Sequence, residues 1–250
     1  MWFEFITNTK CNWNCEYCSF DRVEEAWITP EKIQRHQYVY DFINSIEEKT
    51  IVLEGGEIGL IENSYLLKEL ILKFNQKVVI NTNGTFFDQP REMLYDYIES
   101  VFLHVAPDAK EPFRLTKYDV PFEVIYGLVD DDPIALHEFD LMNRESPKLG
   151  YMEYEFINEE PTFDVLTIEE DRRNCYTLNP FMSIDLAREV LCPCTARGCH
   201  ITIPLNETNF HKLLSGFNNF LLENDMCETC YRICRSFAPK DVIHRKLKCR

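Results

Sequence analysis

The chain lacks any apolar run approaching the roughly 18 residues that a membrane-spanning helix needs, so a soluble protein is expected. Its opening, MWFEFITNTK, lacks the basic stretch ahead of an apolar segment that marks a secretory signal, and carries Glu4 instead. A cytoplasmic chain with reduced thiols is the expectation. Positive charge is scarce: 26 Lys and Arg face 42 Asp and Glu, a formal charge of -16, which argues against the basic surface that nucleic-acid binding requires. No internal repeat with a period of about 20 to 50 residues and no low-complexity tract is present, which sets repeat architectures aside.

What the chain has in plenty is cysteine. Eleven are present, although 250 residues can bury roughly three quarters of their unfolded surface and need no staples to fold. In a reducing compartment such clusters bind metal or do redox work more often than they form disulfides. The acidic excess is also concentrated. From Glu123 to Asp171 there are fifteen acidic residues against Arg144 and Lys148, while the last twenty residues carry seven Arg or Lys against one Asp. The acidic block reads as a solvated face or as a field that draws in a cationic substrate or partner. The basic end offsets a thiolate cluster or is a frayed terminus.

Short strands alternate with helices over the first 165 residues. WFEFIT is a strand; a helix follows over TPEKIQRHQYVYDFINSIEEK, with Thr29 as N-cap and Pro30 at the first helical position. TIVLEGG, KVVINTNG, VFLHV, FEVIYGLV and YMEYEFI read as further strands, and SYLLKELILKF and REMLYDYIES as helices between them. This alternation predicts a parallel sheet with right-handed crossovers, doubly wound or closed into a full or partial barrel, with its site at the C-terminal strand ends. Beyond about residue 165 the pattern fades and eight cysteines follow, at 175, 192, 194, 199, 227, 230, 234 and 249. The expected division is therefore 1–165, a strand–helix domain, and 166–250, a metal-rich module.

The loop after the first strand holds Cys11, Cys15 and Cys18 in the spacing Cys-x3-Cys-x2-Cys. Three thiolates from one tight loop leave one iron of a cubane open, as a catalytic zinc site leaves a position open for substrate. A structural zinc knuckle or a set of buried thiols is the alternative. CNWNCEYC resembles the CxxxCxxC loop of radical S-adenosylmethionine enzymes, including Tyr17 before the third cysteine. That resemblance implies a partial (β/α)6 barrel and a 4Fe–4S cluster held by Cys11, Cys15 and Cys18. It also implies that S-adenosylmethionine binds the open iron and is cleaved to a 5′-deoxyadenosyl radical that takes a hydrogen atom from the substrate. LEGGEIGL is similar to the family's GGE segment. There Gly55 and Gly56 let the backbone approach the ligand and Glu57 accepts from its ammonium group, although Ile58 stands where the family often has Pro. VVINTNG resembles the third-strand segment bordering the cofactor, with Asn81 as contact; a strand-ending Asn-Gly turn explains it equally. The family's GxIxGxxE segment has no clear match, and the resemblance covers roughly residues 2 to 157.

The second region reads as a hairpin, FMSID and EVLC, flanked by Cys175 and Cys192, followed by Cys227-x2-Cys230-x3-Cys234 and Cys249. This layout resembles the SPASM and twitch extensions of the same superfamily, as in 2-deoxy-scyllo-inosamine dehydrogenase and anaerobic sulfatase-maturating enzymes. The resemblance implies an auxiliary 4Fe–4S cluster on Cys175, Cys192, Cys227 and Cys230. Two auxiliary clusters are the alternative, one on Cys227, Cys230, Cys234 and Cys249 and the other on Cys175, Cys192, Cys194 and Cys199. The spacing after the CxxC pair is three residues where the full SPASM pattern has five. A zinc site built from Cys192, Cys194, Cys199 and His200 is the plain alternative.

The residues that would meet the substrate carry no motif. His104, sharing a strand face with Phe102, is either a contact or a core histidine, and Glu153 and Glu155 alternate with Met152, Tyr154 and Phe156. With the cluster loop starting at residue 11, no N-terminal leader-peptide domain is expected, which favours a small-molecule substrate, with a peptide next and a nucleotide or nucleic acid base third, disfavoured by the acidic charge. The acidic block makes an amine-bearing one attractive. The expected activity is hydrogen abstraction completed as an oxidation, fed by an electron donor such as flavodoxin or ferredoxin. A non-enzymatic iron–sulfur or zinc protein is the competing class.

Overall fold

The computed structural model describes residues 2–13, 25–105, 120–129, 149–155, 181–192, 202–215 and 243–248. Six parallel strands follow one another across a sheet: β1 (Trp2–Ile6), β2 (Thr50–Glu54), β3 (Val78–Thr82), β4 (Ile98–Val105), β5 (Glu123–Val129) and β6 (Leu149–Glu155). Four further strands extend this sheet: β7 (Phe181–Asp185), β8 (Val190–Cys192), β9 (Ile203–Pro204) and β10 (Ile243–Lys248). The order is β10-β6-β5-β4-β3-β2-β1-β7-β8-β9. Strands in sequence order with same-handed crossovers place their helices on a single face, unlike a doubly wound sheet. This mixed α/β fold with a large sheet is consistent with a partial (β/α)6 barrel.

Alternation along the strands sorts the two faces. Phe3, Phe5, Ile51, Leu53, Val78, Ile80, Val101, Leu103 and Val124 belong to one buried cluster with the helix residues Ile33, Val39, Tyr40, Ile43, Leu67 and Leu70. The opposite face carries Glu4, Ile6, Val52, Glu54, Val79, Asn81, Ser100 and Phe102, the residues between. β7 pairs in parallel with β1 in matching register, so Ser183 and Asp185 join this second face beside Glu4 and Ile6.

Thr29 caps its helix as expected, accepting from Lys32 N at 3.3 Å with Pro30 first. The single long helix is a correction: it divides into α1 (Pro30–Arg35) and α2 (Gln37–Asn44) at His36, whose φ of -99° and ψ of 31° leave the helical range. His36 turns its ring to Tyr38 Oη at 3.2 Å and Glu189 Oε1 at 3.1 Å, a tertiary contact that local periodicity does not announce. The helix α3 (Ser64–Ile71) starts where expected, capped by Asn63. REMLYDYIES forms only a 3-10 segment, Glu92–Tyr97, because buried Arg91 anchors its start to Gly59 O and Ile61 O and β4 begins at Ile98. FMSID and EVLC do form an antiparallel hairpin, and β7 lies against β1, so the described strands of 166–250 continue the same sheet at its edges. The last described helix, α4 (Glu207–Ser215), sets Phe210 edge-on against Tyr38 and Phe42.

Candidate active site

The first strand does not stop contributing at Ile6. Thr7 N and Thr7 Oγ1 both donate to Glu54 O at 2.7 Å, Gly56 N donates to Asn8 O at 2.8 Å, and Glu57 N donates to Lys10 O at 2.7 Å. Residues 7–10 and 54–57 are thereby laced together past the end of the sheet. On the other side Thr9 N donates to Ala26 O at 3.0 Å, Ala26 N to Thr9 Oγ1 at 2.8 Å, and Ile28 N to Thr7 O at 2.9 Å. The cysteine loop therefore leaves and returns through one narrow neck, closed at the surface by Lys10 and Glu25 at 3.3 Å.

This lacing explains the glycines. A Cβ on Gly56 would lie 2.3 Å from Lys10 O, and one on Gly55 2.8 Å from Asn8 O. The close approach is to the chain's own strap, and it is what brings Cys11 to the edge formed by β2 and β3.

Cys11 is half-buried, and its Sγ accepts from Trp13 N at 3.4 Å and Asn83 Nδ2 at 3.9 Å. Asn83 also donates to Asn12 Oδ1 at 2.9 Å, and Asn12 Nδ2 reaches Thr85 Oγ1 at 2.9 Å. Polar donors around the sulfur favour a thiolate over a thiol. Cys15, Tyr17 and Cys18 lie outside the described residues, as do Cys175, Cys194, Cys199, Cys227, Cys230, Cys234 and Cys249. The backbone of Cys192 ends β8 opposite Ser183. His104 lies in β4 with Gly127 as its strand partner, and Glu153 lies in β6 with Leu128 and Arg245 as partners. Glu155 ends β6 opposite Ile243, and the side chains of these three are outside the described set.

Glu57 is 2 % exposed and acts as a hub. Its Oε1 accepts from Gly59 N and Thr82 Oγ1, each at 2.6 Å, and its Oε2 from Asn83 N at 2.7 Å. Burial raises its carboxyl above the ordinary range, opposed by these donors and by the Arg91 guanidinium. Arg91 is itself fully buried over the Phe86 ring at 4.7 Å, and burial pulls its pKa down to about 10. Through Asn83 the same carboxylate fixes the segment that reaches Cys11.

One strand step earlier lies a pair that sequence reasoning passed over in part. Asn81 Nδ2 donates to Glu54 Oε2 at 2.9 Å, while Asn81 Oδ1 is buried without a hydrogen-bond partner among the described residues. Burial pushes the Glu54 carboxyl up to about 7, with the Asn81 hydrogen bond opposing. Asn81 was legible as a strand-end Asn. Glu54 was not, yet an acidic residue closing the apolar run TIVLE is the signal that would have found it.

Residues 5–120 match the family model of the Radical SAM superfamily. The matched span runs from within β1 to just short of β5, and contains Cys11, Cys15, Cys18, Gly55, Gly56, Glu57 and Asn81. Members of that superfamily are enzymes, and the family implies S-adenosylmethionine and a 4Fe–4S cluster. No curated protein matches the chain. No described helix is long and apolar enough to cross a membrane.

Proposed function

We propose that this chain is a radical S-adenosylmethionine enzyme that abstracts a hydrogen atom from a small molecule and completes the reaction as an oxidation. The observation that carries the reading is the neck of residues 7–10 and 26–28, which delivers Cys11 against Gly56 and Glu57 within a span matching the superfamily. Cys11, Cys15 and Cys18 would hold the cluster. The residues present suit it: the Cys11 sulfur already takes two N–H donors, and Asn81, tied to Glu54, keeps a buried acceptor without a donor among the described residues. When bound, the cluster and S-adenosylmethionine supply one-electron reduction of a sulfonium and, through it, hydrogen abstraction from carbon.

The chain's own work is positional. The strap and the Glu57 hub hold the cysteine loop at the strand ends, and the apolar residues Ile6, Val52 and Val79 floor the sheet face beneath it. Tyr17 and the backbone of residues 55–57 would seat S-adenosylmethionine. Cys175, Cys192, Cys227 and Cys230 would hold an auxiliary 4Fe–4S cluster, whose four thiolates would leave no open iron and would suit electron transfer in an oxidation. Flavodoxin or ferredoxin is the proposed electron donor.

Anaerobic reconstitution followed by dithionite and S-adenosylmethionine tests the proposal. 5′-Deoxyadenosine is expected from the wild type and not from Cys11→Ser. About 8 irons per chain are expected for one auxiliary cluster and about 12 for two. An iron-loaded protein that forms no 5′-deoxyadenosine under any reductant overturns the reading.

A further inference from the structure

Two local irregularities meet at one place. The helical run that begins at Pro30 breaks at His36, and Glu189, in the turn between β7 and β8, has a φ of 57°, alone among the described non-glycine residues in the left-handed region. Local sequence favours neither conformation, so surrounding contacts must hold both. Glu189 Oε1 accepts from Arg35 Nη1 at 2.7 Å and from His36 Nε2 at 3.1 Å, and the Glu189 carbonyl accepts from Leu205 N at 2.8 Å. The helix break and the turn therefore clasp each other, 153 positions apart in the chain.

The turn that Glu189 closes also grips both segments of the neck of the cysteine loop. On the outgoing side, Leu186 N and Ala187 N donate to Ile6 O at 3.0 and 3.4 Å, directly before Thr7. On the returning side, the half-buried Lys32 ammonium donates to Trp27 O at 2.9 Å and to Ala187 O. A single ammonium thus ties the neck to the turn, through charge-assisted bonds of the stronger kind. Lys32, Arg35 and His36 are spaced three and four residues apart, the spacing that puts side chains on one face of a helix. Lys32 reaches the near end of the turn while Arg35 and His36 hold its far end at Glu189.

We infer that Lys32 is a positioning residue for the cysteine loop, and that the β7–β8 turn, clasped through Glu189, is its anchor. The turn fixes Lys32 and Lys32 fixes Trp27. Ala26 and Ile28 on either side of Trp27 then hold Thr9 and Thr7, and Thr9 lies two residues before Cys11. The C-terminal hairpin thereby sets how firmly Cys11 is presented at the strand ends. This goes beyond the radical reading and does not depend on it, because it concerns the seating of the neck rather than the chemistry at the cysteines.

Backbone amide hydrogen exchange of the full chain, read residue by residue under anaerobic conditions, is the test. Lys32→Met keeps the apolar stem and removes the donors. In it the amides of Thr9, Ala26 and Ile28 are expected to exchange about tenfold faster, while that of Leu94, bonded to Arg91 O, keeps its rate. Glu189→Gly deletes the carboxylate yet suits a φ of 57°, so the turn is kept, and it is expected to speed the same neck amides about threefold or more. Arg35→Met removes a partner whose side chain is 62 % exposed and is expected to change them less than about twofold. Adding Glu189→Gly to Lys32→Met is expected to speed the neck no further, since the two act along one path. Equal acceleration at Leu94 would mean a general loss of stability and overturns the inference. So do unchanged neck amides in Lys32→Met, or additive effects in the double variant. Absence of 5′-deoxyadenosine defeats the radical reading and leaves these exchange rates untouched, so the two fail separately.

Discussion

Glu57 and Glu54 lie on the same few residues of chain and both have raised carboxyl pKa values through burial, but their surroundings differ in kind. Glu57 receives three donors from Gly59, Thr82 and Asn83, with Arg91 behind it, and holds two loops together. Glu54 receives a single donor from Asn81 and has no basic partner among the described residues of its face. Glu57 is thus a buried hub tying two loops together, whereas half-buried Glu54 is tied by a side-chain hydrogen bond to Asn81 alone among the described residues.

The largest effect expected comes from breaking the first environment. Glu57→Ala would strand three donors and leave Arg91 without its opposing charge, at a cost of about 3–5 kcal/mol in urea unfolding. A loss below about 1 kcal/mol would mean that the hub is dispensable and the contrast with Glu54 is false.

The second environment should respond with the opposite sign. A carboxyl whose folded pKa rises from 4.5 to about 7 contributes its full stability below the unfolded value, and that contribution is lost as the pH climbs through 7. Glu54→Gln removes the charge that burial penalises. The variant should be more stable than the wild type at pH 8, with the difference shrinking toward pH 5. Urea midpoints across that range check it, and a variant equally stable or weaker at pH 8 would place Glu54 among the structural carboxylates.

Glu25 supplies a third environment, in water. It pairs with Lys10 at 3.3 Å with both side chains about half exposed, and Lys10→Met should change stability by less than about 0.5 kcal/mol. A larger change would show that the neck depends on this surface pair rather than on the backbone lacing beneath it.

Strand-ending glycines and short apolar runs made β1 to β8 readable, because each element's hydrophobic period is local. The break at His36 was not readable, since its cause is Glu189, far along the chain and held at a φ of 57°. Nor was β10: IHRKLK reads as a basic tail, and only pairing with β6 makes it a strand. In the candidate site, Cys11, the glycines and Glu57 were legible as a set. The sequence suggested a ligand for Glu57 and the structure shows protein donors on both its oxygens, because Thr82 and Asn83 reach it only once β2 and β3 are adjacent.

Strand β1 lies inside the sheet, with β2 on one side and β7 on the other. β2 ends at Glu54 and β7 at Asp185, so during synthesis one edge of WFEFI has no partner until 131 more residues have been added. At translation rates of about 5–20 residues per second that interval lasts roughly 7–26 seconds. An apolar strand with a bare row of backbone donors and acceptors is a template for pairing with another chain. Until β7 is made, that edge of WFEFI is the place on this strand where pairing with another chain would start.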